Sequence, residues 1–135
     1  MNASLSLLGR IGLSLVFIMS GWEKLGGYAA TQGYMEAMGV SGALLPAVIA
    51  LEFGGGLAIL VGLFSRTASA GLAVFAVLAA VLFHGNVADP TQSLLFWKNI
   101  TIAGGMLMLA ANGPGALSFE SWLERNRPMP DRAAA

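Results

Sequence analysis

Residues 70–83 read AGLAVFAVLAAVLF, an apolar run with no charge and no strand-like alternation. With its flanks it forms a segment of 18 residues, 67–84, bounded by Ser65-Arg66 before and Gly85 after. At 1.5 Å per residue, such a stretch matches a hydrocarbon core about 30 Å thick. Three further segments of about the same length surround it. Residues 4–25 contain LSLLGRIGLSLVFIMSGW, residues 43–64 end in LAILVGLF, and residues 94–111 close the set. Of the 135 residues, 56% are hydrophobic and 10% charged. A soluble domain of this size could not bury that much apolar surface, so a bilayer must solvate the remainder. Inside a bilayer each segment has to satisfy its own backbone hydrogen bonds, which requires helices. The expected fold is all-α, a four-helix transmembrane bundle.

The links agree. Gly26-Gly27 ends the first span, and Ser41-Gly42 precedes the second, with Pro46 in its first turn. Ser65-Arg66 is so short that the second and third spans must be antiparallel neighbours. Residues 85–93, with Asp89-Pro90, read as a loop, and Asn112-Gly113-Pro114-Gly115 closes the fourth span. Between Gly27 and Gly42 the residues Tyr28, Tyr34, Met35 and Met38 suit a short interfacial helix. Residues 1–118 are read as the four-span domain. Residues 119–135 are read as a short amphipathic segment and a disordered tail, with Ser121 and Glu124 at capping-box spacing. The N-terminal segment reads as an uncleaved first span rather than a signal peptide, because Arg10 interrupts it and Glu23-Lys24 follows where a small-residue cleavage site would stand.

Four spans place both termini on one side with the Ser65-Arg66 link. That side carries Arg10, Arg66, Arg125, Arg127 and Arg132, against Lys24 and Lys98 on the other. The excess predicts an N-in/C-in topology, with Arg10 snorkelling outward from its span. Net charge is +0, which gives no reason to expect nucleic acid as a partner. No cysteine is present, which removes disulfides and thiolate metal sites. A single histidine cannot supply two axial ligands to a haem, and no metal site is expected.

Polar residues within a membrane are costly, so each needs a reason. Here they collect at the end opposite the termini: Glu23 and Lys24 close the first span, His84 closes the third, and Lys98 and Asn99 open the fourth. Glu52 lies about 13 Å into the second span from that end by helical rise. Small residues mark packing faces. Ala73, Ala76 and Ala80 run behind His84, Gly55 and Gly56 share the face of Glu52, and a second stripe holds Gly54, Ala58 and Gly62. Lys98 lines up with Thr101 and Gly105. Glu52, His84 and Lys98 are therefore expected to point inward, towards one another. Three readings remain open. Glu52 pairs with Lys98 or Lys24 as a buried ion pair that fixes helix register. Alternatively the group lines a pocket for a quinone headgroup or another small polar molecule. The third reading is an ion or proton path, which lacks a second acidic residue within the other half of the membrane.

Two stretches carry a family resemblance. Residues 10–25, RIGLSLVFIMSGWEKL, and residues 52–70, EFGGGLAILVGLFSRTASA, resemble DoxX-type membrane proteins, as do His84, Asn99 and GPGALS at 113–118. The resemblance implies a four-helix bacterial inner-membrane protein, with Arg10, Lys24, Glu52, Arg66, His84 and Asn99 at matching positions. The family takes its name from a small subunit of an archaeal thiosulfate:quinone oxidoreductase, and some members are linked to oxidative-stress membrane complexes. It therefore implies a small subunit of, or accessory to, a quinone-linked redox system, not catalytic alone, with a quinone as the ligand and a membrane or soluble redox partner. A non-catalytic scaffold, a carrier and a homo-oligomer are the alternatives. The missing cysteine argues against thiosulfate oxidation by this chain. The candidate site comprises Glu52, His84, Lys98, Lys24, Asn99 and Glu23, with Arg10, Arg66, Gly55 and Gly56 in structural roles.

Overall fold

The computed structural model describes residues 2–128, and among these it is helical without strands. Six helices follow in order: α1 (Ala3–Gly26), α2 (Tyr28–Ala37), α3 (Gly42–Val61), α4 (Ser65–His84), α5 (Pro90–Asn112) and α6 (Phe119–Arg125). Of these, α1, α3, α4 and α5 are long and apolar enough to cross a membrane. They bury small and medium side chains against each other, including Phe17, Ile59, Leu72, Ala73, Ala76, Ala103 and Met106. Leu8, Leu15, Met19, Val74, Val77, Leu107 and Met108 face outward. That inversion suits a lipid solvent.

The spans form two close pairs. α1 lies along α3, and α4 along α5. The first pair is tight because Gly56 presents only hydrogen to α1: a Cβ there would come within 3.1 Å of the Ile18 nitrogen and 3.2 Å of the Ser14 oxygen. Gly21 does the same in reverse against the Phe53 backbone. The second pair is tight because Ala73, Ala76 and Ala80 form the expected stripe, each almost wholly buried. Gly55 meets Leu72, which joins the pairs near mid-span. Of the second expected stripe, Gly54 has no atom near its missing Cβ and faces outward.

α3 is not uniform. It opens as a 3-10 turn at Gly42–Leu44, continues as α-helix, and widens to a π-helical turn at Ala50–Gly54 before resuming to Val61. It stops short of the expected residue 64 because Gly62 takes a left-handed φ of 76° and its N–H returns to Ala58. α4 then starts at Ser65, two residues early, after Phe64 at φ 51°. α5 starts at Pro90, where a loop was expected. Asp89 accepts from the Gln92 N–H at 2.9 Å and Pro90 needs no donor partner, so Thr91, Gln92 and Ser93 form a polar first turn. α2 is the expected short helix between the first two spans. α6 is also present, but its N-cap is Ser118, whose hydroxyl accepts from the Ser121 N–H at 3.2 Å. Ser121 instead donates its hydroxyl to Gly115, which moves the start one turn earlier than the Ser121–Glu124 spacing suggested. The tail expected at the C-terminus lies outside the described residues apart from its first member.

Arg10 departs from the expectation of an outward, solvated guanidinium. It is buried, with Nη1 donating to the Pro114 carbonyl and Nη2 to the Leu117 carbonyl, each at 2.7 Å. The chain after α5 folds back over the end of α1, so the side chain reaches protein carbonyls before it reaches water. Gly62 lies beneath this contact, and its carbonyl accepts from the Glu120 N–H at 3.0 Å. The Glu120 carboxylate in turn accepts from the Ser65 N–H at 3.0 Å, placing a negative charge at the start of α4. Arg66 donates to the Ala110 and Ala111 carbonyls at the end of α5. The end of the bundle that bears the termini is thus closed by backbone-directed polar contacts.

Candidate functional site

The opposite end is built differently. Where the α1–α3 pair meets the α4–α5 pair, a cavity of about 390 Å³ opens under α2. α1 contributes Phe17, Ser20 and Lys24, and α3 contributes Leu44, Val48 and Glu52. α4 contributes Phe75, Leu78, Leu82 and His84, α5 contributes Lys98, Asn99 and Ile102, and α2 covers it with Thr31, Tyr34 and Met35. The volume lies in the range of small-ligand pockets. Leu44, Leu78 and Leu82 are about half exposed on the lipid-facing surface, so the apolar wall is continuous with the hydrocarbon around the bundle.

Five of the six residues singled out from sequence meet here: Glu52, His84, Lys98, Lys24 and Asn99. Glu23 does not. It is exposed and sits on the outer side of α1, beside a shallow hollow formed with Ile18, Met19, Trp22 and Phe53. The reason is rotational, since adjacent residues on a helix point about 100° apart.

Glu52 is the deepest charge in the cavity and almost wholly buried. Its partner is Lys24, at 2.9 Å from Oε2, rather than Lys98. Ser20 completes the arrangement: its hydroxyl donates to Glu52 Oε1 at 3.0 Å and accepts from Lys24 Nζ at 2.7 Å. Ser20 and Lys24 are one helical turn apart on α1, so a single face delivers both to the carboxylate. On the other side, the π-helical turn of α3 contains Glu52. One extra residue in that turn re-aims the side chains around it, and such turns concentrate at functional positions.

The remaining polar groups are not spent on Glu52. His84 Nδ1 lies 2.8 Å from Gln92 Oε1, so an amide oxygen there takes the ring N–H and leaves Nε2 of a neutral ring as a lone pair. Asn99 donates Nδ2 to the Leu95 carbonyl at 3.0 Å and keeps its own oxygen available. Lys98 has no carboxylate within 4.0 Å among the described residues. Tyr34 stacks on Phe83 with ring centroids 5.6 Å apart, which fixes α2 over the mouth. Ser20, Thr31 and Tyr34 were not singled out from sequence. The position of Ser20 four residues before Lys24 was the available signal, and for Tyr34 it was the interfacial helix itself.

The arrangement defines a small four-span membrane protein with an amphipathic cavity at one end of its bundle. The chain belongs to the DoxX family, whose family model matches residues 5–85, including Ser20, Lys24, Glu52 and His84. It is 55% identical over 119 residues to the inner membrane protein YqjF of Escherichia coli K12, covering 88% of this chain and 92% of that one. It is 35% identical over 124 residues to the inner membrane protein YphA of the same organism, covering 86% and 88%. No solved structure matches it. It is a multi-pass inner-membrane protein.

Proposed function

We propose that this protein is a small subunit of, or accessory to, a quinone-linked redox system, and that its cavity holds the quinone headgroup. The observation that carries the reading is the cavity's composition. Apolar walls reach the lipid-facing surface, while a carboxylate, two ammonium groups, an imidazole and an amide collect at its polar end. A quinone has the same division: a lipid-soluble body with ring carbonyls that accept hydrogen bonds. Lys24 and Lys98 supply donors for those carbonyls, and Glu52 and the free Nε2 of His84 are groups able to exchange protons with the ring. The electrons come from a redox partner protein, and this chain supplies the site. The scaffold alternative draws on the Lys24–Glu52 pair, which also fixes the register of α1 on α3, but it gives no role to Lys98, His84 or the cavity.

The test is thermal unfolding of the purified protein in mild detergent with and without decylubiquinone, using decanol as control. At a hundredfold excess over Kd a bound ligand stabilises by about 2.7 kcal/mol. Wild type should shift upward with the quinone only, and Ala79→Phe, which fills the cavity from α4, should fold and lose the shift. No shift in wild type, or an undiminished shift in Ala79→Phe, refutes the reading.

We also place both termini in the cytoplasm and the cavity in the outer leaflet, from Arg10, Arg66, Arg125 and Arg127 at one end of the described bundle against Lys24 and Lys98 at the other. Single cysteines at Ala88 and Asn126 test it in intact cells. Only the first should react with an impermeant maleimide, and the reverse result inverts the topology.

A further inference from the structure

We infer that the cavity holds its ligand's head as an anion and that Lys98 selects that charge; the inference rests on the quinone reading and names which kind of quinone fits. The charged and titratable groups of the cavity come from every element around it. α1 brings Lys24, whose ammonium is committed to Glu52 and Ser20. α3 brings Glu52, which that ammonium neutralises. α2 brings Tyr34, and α4 brings His84, which is fixed at Nδ1 by Gln92. α5 brings Lys98, with no carboxylate within reach among the described residues. Two lysines face one glutamate, so even without any charge on His84 the lining carries an uncompensated positive charge.

Lys98 is itself exposed, and a ligand head seated against it beside leucine and phenylalanine walls excludes water and strengthens the attraction. A neutral ring carbonyl offers Lys98 only a dipole. A quinone bearing an ionised ring hydroxyl offers a full and delocalised negative charge, with the shorter and stronger hydrogen bond that follows. The ligand class this favours is an acidic hydroxyquinone, or any quinonoid ring held in an anionic form. Lys98 is a specificity-determining residue here, while Lys24, already paired, contributes little to the choice.

Two naphthoquinones separate the idea from its parent. 2-Hydroxy-1,4-naphthoquinone is a vinylogous acid, ionised at neutral pH, and 2-methyl-1,4-naphthoquinone is its neutral counterpart of nearly the same shape. Binding of each to detergent-purified wild type, Lys98→Met and Lys98→Arg is measured by isothermal titration. The wild type should prefer the hydroxy compound by about tenfold, the low end for a charge-assisted hydrogen bond at an exposed lysine. Lys98→Met should lose that preference, its affinity falling about tenfold more for the hydroxy compound than for the methyl compound, and Lys98→Arg should keep it. Equal binding of the two compounds by wild type, or a preference that survives in Lys98→Met, overturns the inference and leaves the quinone reading standing. Failure of wild type to bind either compound overturns both.

Discussion

Glu52→Gln removes the deepest carboxylate in the bundle and keeps its shape. In the native protein the Glu52 side chain is 4% exposed and the Lys24 side chain 24%. Breaking a wholly buried pair by neutralising one partner costs about 3–5 kcal/mol, because the other charge stays behind uncompensated. Lys24 is not wholly buried, so its ammonium recovers part of that cost from headgroups or water at the bundle end. Ser20 keeps one hydrogen bond to it in either case. The expected destabilisation is therefore about 2–3 kcal/mol. Adding Lys24→Met removes the stranded charge and should restore at least half of the loss, whereas adding Lys98→Met should restore none. The assay is a double-mutant cycle by thermal or urea unfolding in detergent, with Glu52→Gln, Lys24→Met and both together. Additive losses would show that the two side chains do not interact, and rescue by Lys98→Met would reassign the partner. Either result refutes the pairing derived from the 2.9 Å contact.

Gly62→Ala should destabilise by about 2 kcal/mol or more, because φ there is 76° and a Cβ would fall 2.5 Å from the Ser118 Cβ; chemical unfolding measures it. Arg10→Leu strands the Pro114 and Leu117 carbonyls, and α6 should detach, read as faster proteolytic cleavage after Gly113 in detergent. Arg66→Lys should cost less than about 1 kcal/mol, since a lysine at the end of α5 still donates to one of the two exposed carbonyls, and inner-membrane insertion should be unchanged by fractionation.

The spans were legible in the sequence because the bilayer fixes both length and composition, and Gly26-Gly27 punctuates the first. The break between α3 and α4 falls at residues 62–64 rather than at the expected Ser65-Arg66, because left-handed Gly62 ends α3 and Ser65 already opens α4. The start of α5 was not legible, because Thr91, Gln92 and Ser93 dilute the apolar signal over a turn that Asp89 and Pro90 nucleate by capping. Depth along each helix brought Glu52, Lys24, His84, Lys98 and Asn99 to one end correctly. It could not choose between Lys24 and Lys98 as the partner of Glu52, since both end a span at similar depth and only helix rotation separates them. Rotation at Glu52 is set by the π-helical turn, which has no sequence signature of its own. Arg10 was placed at the right end but with the wrong partners. Its destination depends on how residues 113–118 fold back, a long-range contact that no local pattern encodes.

The two ends of the bundle make a comparison internal to the protein. At the end bearing the termini, Arg10, Arg66 and Glu120 are all aimed at backbone groups: two carbonyls each for the arginines, and a helix N-terminus for the glutamate. Most polar groups there are satisfied within the protein, although the buried Arg10 Nε and Ser65 Oγ have no partner among the described residues, and the space between them is filled by Gly62 and Ser118. At the other end the Lys24–Ser20–Glu52 cluster is joined side chain to side chain, and the cavity's other polar groups are only partly engaged. Lys98 has no carboxylate partner among the described residues, and His84 and Asn99 each spend one side-chain group on a local contact and leave the other free. Polar groups in a membrane cost free energy unless they are paired. A bundle selected for stability alone would fill a void of about 390 Å³ with apolar side chains and close it. An unfilled void beside unspent polar groups is the arrangement expected where a ligand supplies the missing partners. On that argument the cavity is the part of this fold kept for function, and the ion pair at its floor is the part that holds it open.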